Sequence, residues 1–203
     1  NTTDPSPTFS GGGTAGTFSS TAGLSINAGS GLVDLATSTA GTYTVTNTIA
    51  AAGSCAQVIA TSNITITDPS AGTFSYTGSP FCTNGTNPSP TFSGGGVAGT
   101  FSSTAGLTIN ASSGLITLAT STAGTYTVTN TIAATGGCAQ VIETANITIN
   151  AAPIATFSYT ASPYCSNTTD PSPTFSGGGT AGTFTSTAGL SINAGSGLVD
   201  LAT

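Results

Sequence analysis

The chain has 203 residues and contains no Lys, Arg, His, Met or Trp; its six carboxylates, Asp4, Asp34, Asp68, Glu143, Asp170 and Asp200, give a net charge of −6. Without an imidazole, an amine or a guanidinium, it lacks the usual general bases, Schiff-base nucleophiles and cationic holders of oxyanions or phosphates, and also the cations that displace counterions from a nucleic acid. Hydrophobic residues make up 37% of the chain, enough apolar surface to fold, but no run approaches the roughly eighteen residues of a membrane-spanning helix.

Read from the N-terminus, the first landmark is "PSPTFSGGGTAGTF" at residues 5–18. A triple glycine of this kind invites a phosphate-loop reading, but that motif needs a following helix and a Lys. Here a second β-type run follows, and the chain has no Lys. The glycines therefore read as a φ-permissive connection between strands.

The landmark restarts at Pro88 and Pro171, 83 residues apart each time, and "TAGTYTVTNTIAA" at Thr39 and Thr122, "CAQVI" at Cys55 and Cys138 and "TFSYT" at Thr73 and Thr156 share that spacing. Self-similarity at a fixed period marks a tandem array, and 83 residues suit a small domain with its own core better than one coil of a solenoid. Three units are expected: 1–70, lacking its first strand; 71–153, complete; and 154–203, truncated at its C-terminal side. The stretch is expected to be a window on a longer chain, with any export signal outside it.

Within the complete unit, short β-rich runs punctuated by Gly, Ser, Asn and Pro predict strands over 72–77, 89–93, 98–103, 106–110, 114–119, 124–132 and 138–149. Seven short antiparallel strands in about 80 residues predict an all-β sandwich. The clearest element is "TYTVTNTIA", in which Thr125, Thr127, Thr129 and Thr131 share one face and Tyr126, Val128, Asn130 and Ile132 the other. Such alternation marks a half-buried antiparallel strand. Differences between copies agree: Asp34 is replaced by Thr117, while its neighbours Val33 and Leu35 become Ile116 and Leu118. The variable position thus faces solvent and the apolar pair the core.

"AGLTINASSGLITLATSTAGTYTVTNT", residues 105–131, resembles the immunoglobulin-like and cadherin-like repeats of bacterial surface proteins, with their "GLxINxxTGxI" hairpin and "GTYTVT" strand. The flanking "TFSYTGSPFC" and "GGCAQVIETANITI" resemble repeats of the giant secreted adhesins of Bacteroidota, exported by the type IX system and including gliding-motility adhesins. The resemblance covers the whole repeat. It implies tandem Ig-like β-sandwiches in an extracellular, cell-surface stalk, and no catalytic residue or cofactor.

Two cysteines per repeat in a chain that looks exported read as a disulfide framework. Pairing within a repeat joins Cys82 to Cys138 and leaves Cys55 and Cys165 to partners outside this stretch; the loop closure would stabilise the fold by about 4 kcal/mol. The alternative joins Cys55 to Cys82 and Cys138 to Cys165, across the junctions. Zinc is disfavoured by the absence of CxxC spacing and of His. Calcium needs several oxygen ligands, carboxylates among them, yet Asp4 aligns with Asn87 and Asp34 with Thr117, so a site at Asp4 or Asp34 would serve only alternate repeats.

Sequons stand at Asn1, Asn63, Asn84, Asn146 and Asn167, of which Asn84 and Asn167 are the candidate glycosylation positions. Tyr76, Tyr159 and Tyr164 are candidates for sugar stacking, against a competing role in packing. The junctions "TDPSAG" (67–72) and "NAAPIA" (150–155) are brief and each carries a proline, which limits bending.

These features predict a non-enzymatic spacer in a surface adhesin, with neighbouring repeats as its partners. The alternatives are a laterally associating filament, in which near-absent charge lets neutral Thr-rich faces meet, and a repeated glycan-binding module.

Overall fold

The structure, a computed structural model, describes residues 3–202; the sequon at Asn1 lies outside the described residues. Repeat 1 contains β1 (Thr17–Ser20), β2 (Ser25–Ile26), β3 (Val33–Asp34), β4 (Gly41–Ile49) and β5 (Val58–Ile66). Repeat 2 contains β6 (Phe74–Ser75), β7 (Phe81–Cys82), β8 (Thr91–Phe92), β9 (Thr100–Ser103), β10 (Gly124–Ile132) and β11 (Val141–Asn150). Repeat 3 contains β12 (Phe157–Ser158), β13 (Thr174–Phe175), β14 (Ser191–Ile192) and β15 (Val199–Asp200). The described residues are nearly all β or irregular, arranged in several small sheets, with a single 3-10 turn at Leu118–Thr120.

The long hairpin organises each copy that contains it. β10 and β11 pair antiparallel from Gly124↔Ile149 to Ile132↔Val141, and β4 and β5 pair in the same register from Gly41↔Ile66 to Ile49↔Val58. The predicted strand 124–132 is β10, and its alternation is realised: Tyr126, Val128 and Asn130 are buried, while the intervening Thr127, Thr129 and Thr131 are partly exposed. β9 lines the other edge of β10, as β1 lines β4.

Two expectations are revised. The strands predicted over 106–110 and 114–119 shrink to a single bridge, Ile109↔Ile116, followed by the 3-10 turn. Asn110 Oδ1 accepts the amides of Ser112 and Ser113 at 3.0 and 2.9 Å, so the side chain holds the turn between the two segments. Gly114 completes that turn with φ +70°, and a Cβ there would lie 2.9 Å from Pro90 and 3.0 Å from the Phe101 ring; only glycine meets both demands.

The second revision concerns β7, which lies outside the predicted strands. It pairs parallel to β11, Phe81 opposite Ile149 and Cys82 opposite Asn150, so the sheet is not purely antiparallel. A parallel neighbour requires a long crossover, here everything between 83 and 140, which no local pattern announces.

The core of repeat 2 joins Phe74, Tyr76, Phe101, Ile116, Leu118, Tyr126, Val128, Ile147 and Ile149. Phe74 meets Phe101 and Tyr76 edge-on, with ring centroids 5.5 and 6.0 Å apart, the arrangement aromatic quadrupoles favour. Repeat 3 reproduces this with Phe157, Phe184 and Tyr159 at 5.4 and 5.9 Å.

Candidate functional site

The triple glycine forms a tight turn after β8. Gly94 and Gly95 have φ of +58° and +77°, and the Gly96 amide donates to the Ser93 carbonyl at 2.9 Å. A β-turn, with no helix behind it, offers no dipole to an anion.

Of the two buried polar residues described in repeat 2, Asn130 and Ser121, Asn130 is the deeper, at 0% exposed. Its Oδ1 accepts the Gly99 amide at 2.8 Å, and its Nδ2 donates to the carbonyls of Val97 at 2.9 Å and Gly72 at 3.2 Å. A buried amide whose partners are all backbone is a structural clasp. It ties the segment entering the repeat to β10. The sequence hinted at this only by placing an Asn on an otherwise apolar face.

Tyr126 donates its hydroxyl to the Thr122 carbonyl four residues upstream at 2.8 Å and also meets the Thr122 hydroxyl at 2.6 Å; Tyr43 repeats the pattern on Thr39. Gly106, at φ +102°, approaches so closely that a Cβ would lie 2.9 Å from the Tyr126 hydroxyl.

The tyrosines proposed as platforms are engaged. Tyr76 is buried and donates to the Gly114 carbonyl at 2.5 Å, and its burial pushes the phenol up to about 12. Tyr159 donates to the Gly197 carbonyl and Tyr164 to that of Thr160. Tyr76 in particular presents no face to a sugar.

The acids act within loops. Asp4 Oδ1 accepts the Leu35 amide at 3.0 Å, and Asp170 Oδ1 accepts that of Leu201 at 3.0 Å. At the matching position Asn87 Oδ1 accepts the Leu118 amide at 2.9 Å, which explains why an amide replaces the carboxylate in repeat 2. Asp34 Oδ1 accepts the amides of Ala36 and Thr37. The Thr37 hydroxyl, with those amides, holds its carboxyl below the usual range against a smaller desolvation effect. Asn84 and Asn167 are exposed in loops, and Asn63 and Asn146 are exposed on β5 and β11.

An open cleft of about 290 Å³ lies in repeat 1, lined by Pro5, Pro7, Ile26, Val33, Val45 and Ile64 among others. Ile116, Val128 and Ile147 are the matching wall of repeat 2, where Phe74 and Tyr76 pack over them. The cleft is the open side of a core.

The four cysteines are unpaired. Cys82 lies beside Asn150 at the C-terminal end of β11, whereas Cys138 sits in the hairpin turn, bridged to Thr135, just before β11 begins at Val141. The ten residues of β11 separate them by about 30 Å at roughly 3.3 Å per residue, while a disulfide needs Cα atoms within about 7 Å. The structure does not bring Cys82 and Cys138 together. Instead the Cys138 thiol donates to the carbonyl of Thr67, in the junction after repeat 1, at 3.4 Å.

No known family and no curated protein matches the chain. Among solved structures it is similar to a SusE-like, surface-located polysaccharide-binding protein from the heparin utilisation locus of Bacteroides thetaiotaomicron, with a TM-score of 0.29 and 17% identity. The similarity covers 71% of this chain, which spans 31% of that one.

Proposed function

We propose that the chain is a non-enzymatic spacer in a large extracellular surface protein, built from tandem Ig-like β-sandwich units at 1–70, 71–153 and 154–203. The observation that carries this reading is the junction. The hairpin turn of repeat 2 rests on Thr67 where the chain leaves repeat 1: Cys138 reaches its carbonyl, and a Cβ on Gly136 would lie 2.8 Å from its hydroxyl. Since β5 ends at Ile66, the bottom of one hairpin meets the top of the next, an end-to-end arrangement suited to reach. The tyrosine hydrogen-bonded to a carbonyl upstream, at Tyr126 and Tyr43, supports the Ig-like assignment, for which such a corner is a hallmark. Small-angle scattering tests the spacer reading. The expected particle is elongated, with about 30 Å per repeat; a compact particle little longer than one repeat refutes it.

Glycan binding by each repeat is a second reading. It is favoured by the exposed polar face of β10 and β11, where Thr125 meets Thr148 at 3.3 Å and Thr127 donates to Asn146 at 2.9 Å. It predicts saturable glycan-array binding lost in Thr127→Val. No binding on the array removes this reading and leaves the spacer untouched.

A further inference from the structure

We propose that the cysteine after "SPF" or "SPY" in each repeat forms a disulfide with the "CAQVI" cysteine of the repeat that follows it, so that the covalent link crosses every junction. The argument combines two contacts through the 83-residue period. At the first junction the Cys138 thiol lies 3.4 Å from the Thr67 carbonyl oxygen. At the end of repeat 2, the residue matching Thr67 is Asn150. Cys82 pairs with Asn150 in the β7–β11 ladder, and the amide of Thr83 donates to the Asn150 carbonyl at 3.0 Å.

One backbone carbonyl therefore has the "SPFC" cysteine of its own repeat beside it and receives the "CAQVI" thiol of the next repeat. Neighbouring strands lie about 4.8 Å apart, so both cysteines border the same backbone position, which is the proximity a disulfide needs. The two thiols meet at the junction if the second junction repeats the first. Within one repeat the same two positions stand at opposite ends of β11, which rules out Cys82–Cys138 on distance. The partner of Cys82 is then the residue 83 positions after Cys138, and the partner of Cys138 is the residue 83 positions before Cys82.

Exposure follows the same logic. Cys138, with a preceding repeat against it, is partly buried, whereas Cys55, the same position in repeat 1, is exposed; Cys82, beside its β11, is partly buried, whereas Cys165 is exposed. Forming the bond oxidises two thiols to one disulfide. With oxidised glutathione as the oxidant, one molecule is reduced to two glutathione thiols, passing through a mixed disulfide.

The test adds the eleven residues 73–83, "TFSYTGSPFCT", directly before Asn1, because Asn1 aligns with Asn84. The extended chain and the original one are incubated with reduced and oxidised glutathione, alkylated and mapped without reduction after chymotryptic digestion. The expected result is a peptide joining the added cysteine to Cys138 in most extended chains, lost in the Cys138→Ser variant, and no intrachain disulfide in the original chain. Linkage of Cys82 to Cys138, of Cys55 to Cys82 or of Cys138 to Cys165 overturns the proposal. So does a folded extended chain, shown by protected β10 and β11 amides in hydrogen exchange, in which Cys138 carries only glutathione or remains free.

Discussion

Repeats 1 and 2 share the nine residues "GTYTVTNTI" as β4 and β10, yet the two strands sit in different environments. Val128 and Asn130 are fully buried, as are Ile147 and Ile149 opposite; Val45, Asn47, Ile64 and Ile66 are only partly so. Asn130 makes three backbone hydrogen bonds, where two are found for Asn47, to Gly16 and Thr14. The bond that differs runs to Gly72, in the segment leading into β6. An identical strand is thus completed in repeat 2 by what precedes it in the chain. Phe74, Tyr76 and Phe81 cover the apolar face that repeat 1 leaves open as a cleft. In repeat 2 the segment that closes the core begins near residue 71.

The comparison is broken most directly by supplying repeat 1 with such a segment. Placing residues 73–83 before Asn1 would bring two Phe and one Tyr over Val33, Val45 and Ile64, at about 1.5–3 kcal/mol for each large apolar side chain that is fully buried. Hydrogen exchange of 58–66 is then expected to slow by about 100-fold or more, with little change in 141–150.

Next in size is Ile147→Ala. This residue is 1% exposed, and its truncation is expected to destabilise repeat 2 by about 2–5 kcal/mol. The matching Ile64→Ala, on a partly exposed strand, should cost about 1 kcal/mol or less. Denaturant titration with exchange read out per repeat separates the two; equal costs would mean that repeat 1 is closed in solution.

Asn130→Ala leaves the Gly99 amide and two carbonyls without their buried partner, for a loss of about 2 kcal/mol. Asn47→Ala should lose about half of that. By contrast, the tyrosine corner is the same in both copies, so Tyr126→Phe and Tyr43→Phe are expected to cost a similar amount, about 1 kcal/mol each. A large difference between these two variants would show that the corner depends on the missing cover.

The last difference is invisible at neutral pH. Tyr76 is protonated in the core, with its pKa raised from 10.0 to about 12 by burial. The unfolded chain therefore loses this proton first as pH rises. Stability from Tyr76 is complete below about pH 10 and falls as pH climbs toward about 12. Alkaline titration followed by phenolate absorbance and per-repeat exchange should show repeat 2 opening over that range, and Tyr76→Phe should remove the effect.

Legibility in the sequence tracked locality. β10 was readable to its ends because strict alternation of Thr with Tyr, Val and Asn admits one pairing face, and the turn glycines were readable because φ above zero excludes most other residues. The exchange of Asp4 for Asn87 became intelligible once both were seen to accept the same backbone amide. β7 was missed because two residues after a Ser-Pro carry no period, and their partner lies nearly seventy residues away in β11. Of the two roles open to the candidate tyrosines, packing is the one Tyr76 takes: it is buried and aimed at a carbonyl in a loop 38 residues on, a partner that no local pattern names.

By itself the sequence determined the β-rich character, the 83-residue period, the exclusion of cationic and imidazole chemistry, and the faces of the long hairpin, because composition and local alternation set these before any distant residues meet. Only the tertiary structure decided which segment covers which hairpin, that β7 runs parallel to β11, and that Cys82 and Cys138 stand at opposite ends of a strand. Those outcomes depend on where the chain returns after a long crossover, and short-range pattern does not encode that distance.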